Sequence, residues 1–420
     1  MKKGKRQILK ACFVSVLVAV FLIGTGINKD VNAERKSIKI WNTLAMTGPA
    51  ASHYRPIWYA LDSYWKVVNK RDGGIGGIPV QVIAHDNQYN IQKVLTGYAR
   101  IRKDPDILMT CSSMSAIQEA LKPKLLEDGM PMVAAGSVAV NTRPTTQYTP
   151  LGDYTLMAGA WIKWFKNNWK KEGGVGPIKI GAILQPIGCF RDDWAGIQKF
   201  ARDMGVEVVG HAEVPLAPGE YTPELLKLKA KGANLIFTGT IASTLVPLMK
   251  DAYKLGLTKK IKFISSSAVS GTDVIIDLAG KAAEGLYGIY FGDHNANTEA
   301  AKEMVAATTK YHKFAKYELA NSAGWWYMWL IHEAFNLASK KVGADKMTHK
   351  DVLKVLEGMG KIDAPPGMCG PLDFTDANPL TMGGSTASLI KVVNGKHVRY
   401  EPKLLKLPFH KPEEFKEFRK

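Results

Sequence analysis

The chain has 420 residues, 46% of them hydrophobic, and a formal net charge of +18. Its length favours two domains or one large one, each able to bury a proper core. The basic balance does not identify a nucleic-acid-binding protein, because the lysines are spread over predicted helix faces with no aromatic-interleaved stripe, helix-turn-helix or zinc pattern. We interpret them mainly as solvated faces, with attraction to anionic ligands or membrane surfaces as the weaker alternative.

Residues 1–33 have the three-part pattern of a secretory signal peptide. Basic residues come first, an apolar run follows from Ala11 to Gly24, and a small-residue site ends at Ala33. The run is too short for a stable membrane anchor, and Cys12 lies before it rather than after it, which argues against a lipoprotein. We therefore expect export to the periplasm, with cleavage after Ala33.

Cysteine usage predicts neither a metal nor a cofactor. Processing would leave Cys111, Cys189 and Cys369, an odd number that allows at most one disulfide within the chain. The sequence has no Cys-x-x-Cys motif and no Cys/His cluster with the spacing of a metal site.

From Ser37 onward, short apolar strands alternate with helical patterns, which predicts a parallel sheet covered by helices on both faces. The first predicted strands are Ile38–Leu44, Val80–Ala84, Ile107–Met109 and Met132–Ala134. The predicted helices between them are Tyr54–Asn69, Ile91–Arg102 and Ser115–Glu127. The glycine-rich stretch 73–77 precedes a strand instead of lying between strand and helix, so it indicates a helix stop and a turn rather than a dinucleotide site.

Two turns of small residues follow neighbouring predicted strands. Ser112 and Ser113 lead into a helix, and Ser137 and Val138 follow the next strand. The first turn of a helix has unpaired N–H groups and the positive end of the helix dipole, which together hold a carboxylate. Serine is also a common N-cap without any function. Because ligands bind at the carboxyl ends of parallel strands, the two turns together favour an anion site.

After the polar link 144–152 the strand and helix pattern restarts, which predicts a second lobe of the same kind. Its predicted strands are Ile178–Leu184, Val206–Val209, Leu235–Phe237 and Lys262–Ile264. Its predicted helices are Leu156–Trp169, Trp194–Met204, Glu224–Lys231 and Thr244–Leu255. The chain is then mostly helical, and the aromatic cluster 325–329 indicates a buried helix face rather than a cofactor site.

Several motifs occur in one order and together resemble the branched-chain amino-acid-binding proteins of bacterial ABC transporters. The motifs are Thr47-Gly48-Pro49, Gly73-Gly74-Ile75-Gly76-Gly77, Cys111-Ser112-Ser113, Ala135-Gly136-Ser137 and Gly370-Pro371-Leu372-Asp373-Phe374. The resemblance implies an α/β fold of the type 1 periplasmic binding proteins, with two doubly wound Rossmann-like lobes joined by three hinge crossings. We expect these crossings near Gly152, Ile289 and Pro371.

The crossings divide the chain into lobes. The N-terminal lobe is expected at residues 34–151 plus 290–370, and the C-terminal lobe at residues 152–289 plus 371–405. Residues 406–420 are expected to form a loosely ordered basic tail.

The resemblance also implies ligand-binding residues. The full expected set is His53, Tyr54, Ser112, Ser113, Ser137, Val138, Phe190, Thr240, Ile241 and Ser267. Ser112 and Ser113 match the pair that holds the ligand's carboxylate, and Ser137 matches the second part of that clamp. His53 and Tyr54 fall where the family places a lid aromatic. Phe190 replaces a frequent tyrosine, while Thr240 and Ile241 should face the cleft.

One departure from the family concerns the ligand's amino group. Amino-acid binders have a carboxylate in the turn that matches residues 265–268, and here that turn consists of three serines and an alanine. An ammonium group buried without an acid costs on the order of several kcal/mol, which favours an apolar or aromatic acid without an amine. Amide-like and amino-acid ligands stay open. The family's disulfide is not expected either, since the position near Gln88 that would pair with Cys111 is not cysteine.

The expected function is that of a monomeric solute-binding protein that delivers a small carboxylate to a membrane permease. A sensory module that presents the ligand to a signalling receptor would use the same lobes and is the alternative. An enzyme is the rival class, but the sequence has no nucleophile elbow, phosphate loop or His-Glu-x-x-His motif in a fitting context. Cys111 and Cys189 are candidate nucleophiles for which no neighbouring base can be named.

Overall fold

The computed structural model describes residues 35–48, 50–216, 219–266, 273–368, 370–408 and 411–418. The expected signal peptide, Cys369 and the predicted ligand residue Ser267 lie outside the described residues. None of the helices in the described part of the chain combines the length and the hydropathy that a bilayer crossing requires.

The strands and helices are numbered in chain order. The strands are β1 (Ile38–Leu44), β2 (Val80–Asp86), β3 (Ile107–Ser112), β4 (Met132–Ala134), β5 (Gln147–Gly152), β6 (Lys179–Leu184), β7 (Glu207–Glu213), β8 (Leu235–Gly239), β9 (Lys262–Ser265), β10 (Tyr287–Phe291), β11 (Lys361–Asp363), β12 (Pro371–Asp373), β13 (Met382–Gly384), β14 (Thr386–Val393), β15 (Lys396–Arg399) and β16 (Leu405–Lys406). The α-helices are α1 (Ala51–Asp72), α2 (Ile91–Ile101), α3 (Ser115–Asp128), α4 (Val138–Asn141), α5 (Tyr154–Asn168), α6 (Gly188–Asp203), α7 (Thr222–Ala230), α8 (Ala242–Lys254), α9 (Asp273–Ala279), α10 (Glu299–His312), α11 (Leu319–Val342) and α12 (His349–Glu357).

Within the described residues the strands form two sheets. The first has the order β11-β12-β13-β5-β4-β3-β1-β2, and the second has the order β15-β14-β10-β9-β8-β6-β7, with β16 paired to β14. We call the first sheet, with the helices packed on it, the N-terminal lobe. The second sheet, with its helices, is the C-terminal lobe. Two mostly parallel sheets flanked by helices confirm the predicted α/β fold with two doubly wound lobes.

The strands at the centre of the first sheet are buried on both faces, as expected for parallel strands covered by helices. Every residue of β3 is buried, and β3 runs parallel to β1 and to β4. Ser112 at the end of β3 pairs with Ala134 at the end of β4, so the two turns that follow begin side by side. The carboxyl edge of the sheet therefore collects both small-residue turns, as the sequence predicts.

The chain changes lobes where strands end. It leaves the first sheet after β5, which ends at Gly152, and returns to the N-terminal lobe after β10. The third passage lies at Ser385, between β13 and β14, and not near Pro371. The expected position was wrong because Pro371 begins β12, which pairs with β11 and β13 in the first sheet. The sequence of a short β-strand does not indicate which strand it will pair with.

Two other expectations change. The link before the second lobe contains β5, a buried strand that pairs with β4 and β13. Helix α6 begins at Gly188 rather than at Trp194, which places Cys189 and Phe190 in its first turn.

The expected loose tail is wrong for the part that the structure describes. Residues Pro412–Phe418 form a 3₁₀ helix that packs on α6. Phe415 is 1% exposed, and its ring centroid lies 5.8 Å from that of Phe200. Arg202 of α6 pairs with Glu417 at 2.8 Å. Phe418 contacts α6 as well, since its ring lies 4.6 Å from the Arg202 guanidinium. Aromatic residues among the charges therefore hold this segment on α6, and the charge of the segment alone does not predict this.

Candidate ligand-binding site

A cavity that is partly open to solvent lies between the two lobes. Its walls come from the carboxyl edges of both sheets and from α1, α3, α5, α6 and α11. The described lining residues are His53, Tyr54, Ile57, Tyr89, Ser113, Ser115, Ala135, Gly136, Leu151, Tyr154, Ile187, Cys189, Phe190, Ile241, Tyr290, Phe291, Ala320, Ala323 and Tyr327. Ligands in open parallel sheets bind at this edge, so the cavity lies where the fold predicts a site.

The walls are aromatic and carry hydroxyl groups. Five tyrosines and two phenylalanines line the cavity. Among the described lining residues none is Asp, Glu, Lys or Arg. Burial raises the pKa of Tyr54 and of Tyr327, so both hydroxyls stay protonated and can donate hydrogen bonds. The cavity thus offers apolar contact area and neutral hydrogen-bond groups.

The start of α3 supplies the hydroxyls nearest to a helix dipole. Ser113 Oγ lies 3.4 Å from the hydroxyl of Tyr327, which comes from α11. Ser115 is the first residue of α3 and only 5% exposed, and within the described residues its Oγ meets the Cys189 thiol but no nitrogen or oxygen partner. The N-cap residue Met114 makes no side-chain cap, so the first turn is not closed by its own side chain. A buried hydroxyl at a helix start that lines a cavity is placed to donate a hydrogen bond to an acceptor atom of a ligand.

Ser112 does not reach the cavity. It is fully buried at the end of β3, and its carbonyl accepts hydrogen bonds from Gln118 Nε2 at 2.9 Å and from Ala135 N–H at 3.2 Å. Successive strand residues point to opposite faces, so only one of two adjacent serines can face the cleft. Ser113 is that residue.

The second expected part of the carboxylate clamp is occupied by the protein itself. Ser137 N–H donates to Asn141 Oδ1 at 3.1 Å, and Val138 N–H donates to Asp192 Oδ2 at 2.8 Å. Both residues are 1% exposed, and neither is among the described lining residues. The two turns therefore lie side by side, but only the first presents groups to the cavity.

His53 and Tyr54, the expected lid residues, both line the cavity. Their rings meet edge to face with centroids 4.9 Å apart. Burial lowers the pKa of His53 to about 4, so this ring is neutral at pH 7. A neutral imidazole beside a tyrosine can close over a ligand without contributing charge.

Two of the residues expected from the C-terminal lobe line the cavity and one does not. Phe190 and Ile241 belong to the lining. Thr240 is fully buried, and its Oγ1 lacks a hydrogen-bond partner in the described part of the chain. It lies before α8 and is not among the lining residues.

A carboxyl group that the sequence analysis missed reaches the turn after β9. Asp193 of α6 is 1% exposed, and its Oδ2 accepts a hydrogen bond from Ser266 Oγ at 2.6 Å. Burial, with Asp192 and Asp153 nearby, raises the pKa of Asp193 well above its usual value, which favours the uncharged form. Two adjacent acids, residues 192 and 193, in a helix with a buried face could have indicated that at least one carboxyl group is buried near the cleft.

The tyrosines of the site were also missed. Tyr327 lies in the aromatic cluster of α11, which the sequence analysis interpreted as a buried helix face. Trp325 and Trp326 are buried as predicted, but Tyr327 adds a hydroxyl that meets Ser113. Tyr89, with a positive φ of 62°, gives no pattern in the sequence that would place it in the cleft.

The thiols are poor nucleophiles. Cys111 and Cys189 are free in the described part of the chain, and both are buried. Burial raises the pKa of both thiols, which keeps them protonated at neutral pH. Cys189 lines the cavity and Cys111 lies in β3.

Comparisons with known proteins agree with the fold. The family described as periplasmic binding protein matches residues 37–392. A branched-chain amino acid ABC transporter protein from Thermus thermophilus with bound valine has a TM-score of 0.75 at 20% identity, and the match covers 91% of this chain and 99% of that one. A fatty acid ABC transporter substrate-binding protein from Thermomonospora curvata has a TM-score of 0.76 at 18% identity, with 90% and 93% covered.

A solute-binding protein of an ABC transporter from Rhodopseudomonas palustris, in complex with p-hydroxybenzoic acid, has a TM-score of 0.72 at 18% identity. The match covers 88% of this chain and 97% of that one. At these identities the likeness concerns the fold. None of the curated proteins matches the chain significantly in sequence.

Proposed function

Because the chain belongs to the periplasmic binding protein family, we propose that it is the extracytoplasmic solute-binding component of an ABC importer, with a small carboxylate as its ligand. The family match confirms the resemblance found in the sequence. In this proposal the lobes close on an aromatic or aliphatic acid, or an amino-acid-like compound, and deliver it to a membrane permease.

The observation that carries the proposal is the start of α3 inside an aromatic cavity. The Ser115 hydroxyl is buried at a helix N-terminus with no nitrogen or oxygen partner within the described residues, only the weakly bonding Cys189 thiol beside it, and Ser113 lies next to it in the chain. Hydroxyl donors and a helix dipole can hold a carboxylate without a cationic side chain. The aromatic walls would supply contact area for the rest of the ligand.

Several features favour an acid that lacks an amine. A buried ammonium group needs a carboxylate partner, and none of the described lining residues is Asp or Glu. Asp193 lies close to the lining residue Cys189 in the first turns of α6, but its Oδ2 accepts from Ser266 Oγ, and burial raises its pKa well above the usual value, which favours the uncharged form. Of the structural neighbours, two are in complex with 4-hydroxybenzoate and one is named for fatty acids. Another has bound valine, so the amino-acid alternative is included in the test.

A thermal-shift panel with matched pairs tests this ligand class. The pairs are 4-hydroxybenzoate with 4-hydroxybenzamide, which lacks the negative charge, and valine with 3-methylbutanoate, which lacks the amine. We expect the amine-free acids to raise the melting temperature and the amide to have a smaller effect. Stabilisation by valine but not by 3-methylbutanoate would reject the amine-free class. A panel in which no carboxylate stabilises the protein would reject a carboxylate ligand.

Export and partner are tested separately. The proposal places the mature protein in the periplasm with Glu34 as its first residue, and N-terminal sequencing of the periplasmic fraction should find it. Crosslinking in membranes should capture an ABC permease. Capture of a receptor with a cytoplasmic signalling domain instead would support the sensory alternative.

A further inference from the structure

We propose that Asp192 is a positioning residue for ligand capture, which ties the C-terminal lobe to the N-terminal lobe by accepting a hydrogen bond from Val138 N–H. Through this bond the protein itself supplies part of the free energy that closes the cleft. The inference rests on the proposed function, because a binding protein captures its ligand by closing. Its test uses ligand-free protein, so the ligand's identity does not affect the result.

The geometry of the bond is that of a contact between lobes. Val138 is the first residue of α4 in the N-terminal lobe, and Asp192 lies in the first turns of α6 in the C-terminal lobe, 54 residues later. The N–O distance is 2.8 Å, and Asp192 is only 5% exposed. An amide in the first turn of a helix has no partner within that helix, so this N–H must be satisfied from outside. A carboxylate acceptor makes the bond stronger than one between neutral groups.

The neighbouring amides single out Val138 as the bridge. Gly136 N–H donates to Gln118 Oε1 at 3.1 Å, and Ser137 N–H donates to Asn141 Oδ1 at 3.1 Å. Both acceptors belong to the N-terminal lobe and stay in place when the lobes separate. Of the three amides in this turn, Val138 N–H is therefore the one whose bond opening would break.

The lobes approach closely beside this bond. Helix α6 is in contact with α3 as well as with α4. A Cβ atom at Gly188 would lie 2.4 Å from Glu119 Oε1 of α3, so the start of α6 is pressed against the N-terminal lobe. Ser137 Oγ donates to the same Glu119 oxygen at 3.5 Å. Asp192 thus lies in a packed contact between lobes rather than on a free surface.

The bond also changes how a ligand is held. The resemblance assigns the second turn to the ligand's carboxylate, whereas here a carboxylate of the protein occupies it. A bound acid therefore uses the α3 turn alone, and Asp192 affects affinity without touching the ligand. Breaking the bond should speed ligand release, because opening precedes release, and should leave the association rate nearly unchanged.

Two single variants remove the bond from opposite sides. Asp192→Ala removes the acceptor, and Val138→Pro removes the donor. Proline is well tolerated at the first position of a helix, and Ser137 already has the extended backbone, with φ −158° and ψ 163°, that a residue before proline prefers. Asp192→Asn keeps an acceptor oxygen without the charge. Asp203→Ala, at the far end of the same helix, is the matched control.

The measurement is small-angle X-ray scattering of ligand-free protein, analysed as a mixture of open and closed forms. We expect the closed-to-open ratio to fall about tenfold in Asp192→Ala and in Val138→Pro, as the loss of one charge-assisted hydrogen bond implies. Asp192→Asn should fall between these variants and the wild type, and Asp203→Ala should equal the wild type. Because both single variants remove the same bond, the double variant should be no more open than either one.

Two results would overturn the inference. One is an unchanged closed-to-open ratio in Val138→Pro. This result would count against the inference even if Asp192→Ala failed to fold. The other is full additivity of the two substitutions, since that would mean that they act on separate interactions. A panel of acids that all fail to bind would reject the proposed ligand class and leave this result standing.

Discussion

Replacing Ser115 by alanine should change stability and ligand binding in opposite directions. Its hydroxyl is buried and meets no nitrogen or oxygen partner among the described residues, only the Cys189 thiol, so Ser115→Ala relieves a poorly satisfied polar group, worth about 1 kcal/mol of stability in the ligand-free protein. A hydrogen bond to a charged acceptor contributes about 1.5–3 kcal/mol, so the same change should weaken binding of a carboxylate about 10- to 100-fold. A residue with a purely structural role would not combine these two signs.

Ser112→Ala is the control that separates the two effects. Ser112 Oγ is also buried and lacks a partner in the described chain, but it does not line the cavity. Its removal should stabilise the ligand-free protein to a similar degree and leave binding unchanged. Calorimetric unfolding gives the stability, and isothermal titration with 4-hydroxybenzoate, or whichever acid the panel selects, gives the affinity. Equal effects of Ser112→Ala and Ser115→Ala on affinity would mean that Ser115 makes no contact with the ligand.

Other predictions concern different parts of the molecule. Phe415→Ala should lower the free energy of unfolding by about 3 kcal/mol in urea titration, because it empties a buried aromatic site on α6, and an unchanged value would mean that the C-terminal segment does not dock. The folded protein holds the pKa of His53 near 4 against an ordinary 6.5, so unfolding takes up a proton between these values. This contribution to stability is therefore complete above pH 6.5 and lost as the pH falls toward 4, and His53→Asn should flatten that slope in acid titrations of the melting temperature. Ser137→Ala should leave acid affinity within twofold, because Ser137 does not line the cavity; a tenfold loss in titration calorimetry would restore the two-turn clamp.

The fold was predictable because its signals are local. Short apolar strands alternating with helices specify a parallel sheet, and each half of the chain repeats that pattern. Pairing at the end of the chain was not predictable. Residues 371–373 and 386–393 both look like strands, but one pairs in the first sheet and the other in the second, which depends on contacts distant in sequence.

The candidate site also has features that local sequence predicts and features that depend on contacts distant in sequence. The position of Ser113 at the cavity could be predicted because strand, turn and helix follow one another directly in the chain, and its role in binding stays a prediction. The loss of the second turn could not be foreseen, since its amide is taken by Asp192 from the other lobe. Tyr327 was visible only as one aromatic among several, and its hydroxyl matters because α11 brings it to Ser113. Interactions within one turn can be read from sequence, whereas those between lobes need the folded chain.

The most direct test is a crystal structure of the protein with the acid that the thermal-shift panel selects. We expect a carboxylate oxygen about 3 Å from Ser115 Oγ at the start of α3, with Asp192 still bonded to Val138. A carboxylate bound at Ser137 in place of Asp192, or a ligand outside the cleft, would contradict it.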